Sequence, residues 1–200
     1  MDEQELIDQR RKDLEASVAY FAPQIKNERE RWVVDAFVQN LGINPANGEI
    51  VSIKQDPPDV AFRDARFEIK EILDPGRRRH AEYKQELERA QNITDAKDLL
   101  TPFTPKDMSL GEVYRLCRNE AANLDKYSSD FKRGTDLLLY VNLRHVMYVT
   151  EQPYPATTEL EATGWRSVSF VMGRRSGCFY ARPDAPGFIR QAVGCVSHRP

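Results

Sequence analysis

The sequence predicts a mixed α/β fold, a central sheet flanked by helices, and three observations carry that prediction. Helical periodicity fills residues 2–41 and 110–127, period-two alternation runs through FRDARFEIKEIL, and TDLLLYVNL is an unbroken apolar run of strand length. In 200 residues, 40% hydrophobic and 30% charged, this is the composition of one water-exposed globular domain with a real core, and no run is apolar enough to span a bilayer. One domain over 1–200 is therefore expected. Its core covers about 24–143, with an N-terminal helix at 2–20 and a basic hairpin at 164–200 added outside it.

Residues 2–20 read as a charged amphipathic helix with Leu6, Leu14, Val18 and Phe21 as its apolar positions, interrupted by Pro23. A second helix spans about 24–41 and stops at Gly42, a residue suited to the left-handed turn that ends helices. After the loop INPANGE, β-branched and aromatic residues mark strands near 49–54, 59–63 and 66–73, with RDAR as the hairpin turn between the last two. Residues 77–93 have helical character and a polar surface, so they should face solvent. LLTPFTPKDM is a loop by its prolines. Ser109 and Glu112 then have the spacing of a capping box, opening a helix to about 127 with Val113, Leu116, Cys117, Ala121 and Leu124 on one stripe. Cys117 is thereby a core residue rather than a nucleophile. TDLLLYVNL is a strand buried on both faces, and WRSVSFVM with CFYAR, joined by GRRSG, forms the terminal hairpin.

Several chemistries have no support. Cys117, Cys178 and Cys195 form no CxxC pair, and His80, His145 and His198 share no metal-ligand spacing. Neither GxGxxG nor GxxxxGK[ST] occurs, and no G-x-S-x-G marks a hydrolase elbow. The start MDEQELIDQRRKDLE has no apolar stretch behind a basic one, so a cytoplasmic protein is expected. Net charge is −2, yet residues 164–200 carry six arginines against Asp184 alone. Two uses are open to Arg166, Arg174 and Arg175 there, contact with backbone phosphates or solubility. The same choice applies to Arg77, Arg78 and Arg79, which could grip phosphate or form a solvated turn.

The informative stretch is Pro58-Asp59-Val60-Ala61-Phe62-Arg63-Asp64-Ala65-Arg66-Phe67-Glu68-Ile69-Lys70. Asp59 opens one strand, and alternation puts Glu68 and Lys70 together on one face of the next, with Phe67 and Ile69 on the other. Two carboxylates and an ammonium then meet at one end of a hairpin. Hard carboxylate oxygens suit Mg²⁺, and lysine can orient or deprotonate a water, the grouping that phosphodiester hydrolysis needs. The pattern [DE]-x-K occurs four times, but only this copy has Pro-Asp upstream and an apolar strand around it. At about 100° per residue, Glu30 falls in the middle of the apolar stripe of Val33, Val34, Phe37 and Leu41, while Glu28 points away. Glu30 is thus expected as a third carboxylate in a cluster with Asp59 and Glu68.

Over residues 24–142 these elements and motifs resemble the PD-(D/E)XK nuclease superfamily, and the chain as a whole resembles a small bacterial family described only as putative endonucleases. The resemblance implies a restriction-endonuclease-like fold and a metal-dependent nuclease, acting on nucleic acid and first of all DNA. It implies Mg²⁺ or Mn²⁺ held by Asp59, Glu68 and the Ile69 carbonyl, Lys70 at the attacking water, and Glu30 assisting through the metal or its waters. No membrane partner is expected, and a homodimer is one arrangement open to it. A nucleic-acid-binding or assembly module that keeps fold and motif without turnover is the alternative. The motif substitutions are expected to leave the fold intact, or to raise the melting temperature without metal, because clustered acids repel.

Overall fold

The computed structural model describes residues 2–54 and 57–199, which form two compact units, Met1–Lys26 with Leu73–Pro105 and Asn27–Ile72 with Lys106–Pro200. Among the described residues no helix is long and apolar enough to cross a membrane.

The first unit is built on two helices, α1 (Glu3–Tyr20) and α3 (Arg79–Gln91). Asp2 and Glu5 close a capping box at the start of α1, which satisfies two of its orphan N–H groups. Leu14 is buried as expected, but Ile7 is buried in place of Leu6, which is 46% exposed. Positions 7 and 14 recur at helical spacing with Arg11, whose guanidinium donates to the Ala90 and Ile93 carbonyls at 3.0 Å each. The end of α3 is therefore capped by a side chain from α1. Ala90 is buried and Phe21 stacks on Tyr83 at 5.1 Å, so α3 is a packing partner rather than the solvated segment expected.

The second unit holds a seven-stranded sheet in the order β1-β2-β3-β5-β7-β8-β9, with β1 (Ile50–Ser52), β2 (Val60–Phe62), β3 (Ala65–Ile72), β5 (Asp136–Val141), β7 (Ser167–Met172), β8 (Arg175–Ala181) and β9 (Val196–His198). Strands β3, β5 and β7 are parallel, and antiparallel hairpins flank them on either side. The architecture is the expected mixed sheet with helices on its faces. Helix α2 (Lys26–Asn40) packs Val33, Val34 and Phe37 against Phe67, Ile69 and Leu138. On the other face α4 (Leu110–Ala122) packs Val113, Cys117 and Ala121 against Ile72, Leu137, Leu139 and Phe170. The Ser109–Glu112 capping box is present, with Glu112 N–H donating to Ser109 Oγ at 3.2 Å. Arg63 takes φ +52 in the two-residue turn that joins β2 to β3.

Three features differ from the expectation. The C-terminal hairpin is no appendage: β7 and β8 lie inside the sheet, and Trp165, Val168, Phe170 and Phe179 belong to its core. The reason is that a strand as apolar as β5 cannot be an edge, so its second side needs a neighbour. A separate two-stranded parallel sheet pairs β4 (Lys106–Ser109) with β6 (Val146–Thr150), where a loop and no strand were expected. Their partners lie far apart in sequence, and β4 carries charged residues. The helix expected to 127 ends at Ala122, and a short α5 (Ser129–Gly134) starts after Ser128, whose Oγ accepts from Phe131 N–H at 3.2 Å.

Asp136, fully buried at the start of β5, ties three strands together. It accepts from the Arg66 N–H of β3 at 3.1 Å, from Ser167 Oγ of β7 at 2.8 Å, and from two of the three guanidinium nitrogens of Arg166, Nε at 3.1 Å and Nη2. Arg166 reaches on to the Asp64 carbonyl in the β2–β3 turn at 3.3 Å. Breaking such a pair strands the other charge, at a cost of about 3–5 kcal/mol for fully buried partners. Arg166 is 15% exposed, so Asp136→Ala is expected to lower the unfolding free energy by about 2–4 kcal/mol in urea titrations. A loss below about 0.5 kcal/mol would mean that the network does not hold the sheet.

Candidate active site

Strand β2 stops where β3 continues. The last registered pair is Val60 with Phe67, and Asp59 N–H still donates to the Phe67 carbonyl at 2.9 Å. Two residues further on, Ile69 presents its N–H and carbonyl to the same side, beyond the end of β2. Asp59 Oδ2 accepts that N–H at 2.8 Å, so the side chain replaces the missing strand and the carboxylate is held, buried, against β3. The Ile69 carbonyl accepts from Lys70 Nζ at 3.0 Å.

Glu68 and Lys70 share the face of β3 that carries Ile72 and looks toward α4, as the alternation requires. Glu68 is 1% exposed. Its Oε1 accepts two hydrogen bonds, from Lys70 Nζ and from the Tyr127 hydroxyl. Its Oε2 is buried and has no hydrogen-bond partner among the described residues. Tyr127 follows α4 and is fixed by a stack on Phe131 at 5.0 Å and an edge contact with Trp165 at 5.5 Å. Burial first, and then the bond to the Glu68 carboxylate, push its phenol up to about 12, so the hydroxyl stays a donor.

The donor set fits a hard divalent cation. Asp59, Glu68 and the Ile69 carbonyl offer oxygen only, as Mg²⁺ requires, and a buried carboxylate oxygen without a partner is a place where a bound ion would remove a desolvation cost. Lys70 Nζ donates to two of the groups that the resemblance assigns to metal, the Glu68 carboxylate through Oε1 and the Ile69 carbonyl.

Other expectations fare differently. Glu28 is exposed and Glu30 half-buried on α2, but α2 packs on the Phe67 and Ile69 face of the sheet, opposite Glu68 and Lys70. Among the described residues no three His, Cys, Asp or Glu side chains group closely enough to hold a metal ion, so Glu30 does not join Asp59 and Glu68 in a cluster. The helical-wheel reading placed Glu30 on the inner side of its helix without knowing which face of the sheet that helix covers. Arg166, expected on phosphate, is instead committed to Asp136. Arg175 pairs with Glu151 at 3.0 Å, and Arg174 is exposed in the β7–β8 turn. In the other unit Arg77 pairs with Glu82 at 2.8 Å, Arg79 lies 4.1 Å from the Phe21 ring centroid, and Arg78 is exposed at the start of α3. Cys117 is buried in the core as expected, and burial pushes its thiol up, away from nucleophilic use. Tyr127 was missed, because nothing in the sequence links a residue after α4 to a strand 59 positions earlier.

Residues 2–199 match a family model described as "Putative endonuclease, protein of unknown function (DUF1780)". The chain belongs to this family. No curated protein matches it. Among solved structures it is similar to a protein of unknown function from Pseudomonas aeruginosa strain PAO1, described as of the monooxygenase superfamily, at 24% identity and a TM-score of 0.65 over 97% of this chain and 92% of that one. At that identity the likeness speaks for the fold alone.

Burial of Glu68 alters one expectation about stability. Removing Lys70 leaves the carboxylate with a single donor, so Lys70→Met is expected to cost about 1–3 kcal/mol in chelator rather than leave the fold unchanged. Adding Glu68→Gln should recover most of that loss in urea unfolding. Additive losses would show that the two side chains do not act as a pair.

Proposed function

We propose that this chain is a Mg²⁺- or Mn²⁺-dependent nuclease of restriction-endonuclease-like fold that hydrolyses phosphodiester bonds in DNA. The observation that carries this reading is Glu68 Oε2, a buried carboxylate oxygen without a partner among the described residues, on the stretch of β3 that also bears the Ile69 carbonyl and Lys70 and that Asp59 binds through the Ile69 N–H. The family description points the same way. Asp59, Glu68 and the Ile69 carbonyl would hold the ion, which supplies positive charge to the developing phosphorane and acidifies a bound water.

The remaining work falls to the chain's own groups. Lys70, 23% exposed, is the one cation of the motif and reaches both solvent and Glu68, so it can orient the attacking water and balance charge on the phosphate. Asp59 is fixed before any ligand arrives, because its bond to Ile69 N–H sets the side chain along β3. That preorganisation spares reorientation at the moment of reaction. Tyr127, whose hydroxyl reaches Glu68, is itself packed in an aromatic group with Phe131 and Trp165.

Incubation with labelled duplex and single-stranded DNA and RNA should show cleavage only with Mg²⁺ or Mn²⁺. A metal effect of several kcal/mol corresponds to about 10³-fold in rate, so Asp59→Asn and Glu68→Gln are expected to lose at least that much and to bind Mn²⁺ more weakly. Lys70→Met should stop turnover, and Asp64→Ala should remain active. Cleavage that survives Asp59→Asn would contradict the assignment. A wild type that binds nucleic acid and never cleaves it would favour the binding or assembly module.

A further inference from the structure

We infer that Tyr127 is the positioning residue of the metal site: its hydroxyl, together with Lys70, occupies Glu68 Oε1 and thereby leaves Oε2 as the oxygen turned to the cation. The inference rests on the metal-dependent reading above and adds to it a residue outside the Pro-Asp and Glu-x-Lys motif.

Three observations support it. First, the two oxygens of Glu68 are treated unequally. Oε1 accepts from Lys70 Nζ and Tyr127 Oη, while Oε2 is buried with no partner among the described residues. A carboxylate whose one oxygen is held by two donors cannot rotate freely about its last torsion, so the choice of oxygen is made before a ligand arrives. Second, the donor is rigid. The ring stacks on Phe131 at 5.0 Å and meets Trp165 edge-on at 5.5 Å, and Trp165 is itself fully buried and anchored by its Nε1–H to the Ala121 carbonyl at 3.3 Å. A phenol has two side-chain torsions and both are fixed by these contacts. Third, packing and polar roles reside in different atoms. The ring faces Phe131 and Trp165, and the hydroxyl reaches Glu68. Packing alone would be satisfied by phenylalanine, which would leave Oε1 with the lysine alone.

Partners that orient a ligating group are worth about 10- to 100-fold in metal affinity. The test is calorimetric titration of Mn²⁺ into the full chain, as wild type, Tyr127→Phe and Glu68→Ala, with melting temperatures recorded in chelator. We expect Tyr127→Phe to fold and to bind Mn²⁺ about 10- to 100-fold more weakly than wild type, with Glu68→Ala binding weaker still. A hydroxyl with a purely structural role would lower the metal-free melting temperature and leave the affinity of the folded protein unchanged. Wild-type affinity in Tyr127→Phe, where Glu68→Ala has lost binding, overturns this inference and leaves the metal reading standing. A wild type that binds no Mn²⁺ overturns both.

Discussion

The structure depends on a carboxylate taken out of water in the middle of a sheet. Glu68 is buried on β3, and an ionised group in that position is tolerated only if it is matched by charge and hydrogen bonds. Lys70 supplies the charge from two residues along the same strand, where the pleat returns the side chain to the same face. Tyr127 supplies a second donor, held in place by Phe131 and Trp165. The match is incomplete at Oε2, which is buried without a hydrogen-bond partner among the described residues.

Strand β3 is pinned by carboxylates on both edges. Asp136 accepts the Arg66 N–H on the β5 side, and Asp59 accepts the Ile69 N–H on the β2 side. Between these two points lies the stretch that bears Glu68. Asp136 is in turn neutralised by Arg166, so the strand that carries the candidate chemistry has its backbone fixed by a buried network at its start and by Asp59 at its middle. Such a scaffold limits the freedom of functional side chains to their own rotamers.

The basic tail illustrates how charge along a sequence differs from charge in space. Residues 164–200 carry a clear excess of arginine, yet Arg166 neutralises Asp136 and Arg175 neutralises Glu151, both acids from outside that segment. Pairing across the fold consumes charge that a linear count assigns to a ligand. The central part of the fold was legible because its signals are local: the alternation in FEIKEIL, the unbroken LLLYV run and the Ser109–Glu112 box each act within one element. The pairing of β4 with β6, the place of the C-terminal hairpin inside the sheet and the sheet face covered by α2 depend on contacts between distant segments, which no periodicity records. The same limit explains the site. Glu68 and Lys70 were readable as neighbours on one face, whereas the contact of Tyr127 with Glu68 and the position of Glu30 depend on which face of the sheet each distant segment covers.

The most direct measurement is diffraction from Mn²⁺-soaked crystals at a wavelength where manganese scatters anomalously. The account predicts one strong peak bounded by an Asp59 carboxylate oxygen, Glu68 Oε2 and the Ile69 carbonyl, at about 2.0–2.3 Å from each, with Lys70 Nζ displaced from that carbonyl. Crystals that take up manganese elsewhere, with Glu68 Oε2 still unpartnered and Lys70 still on the Ile69 carbonyl, would contradict it.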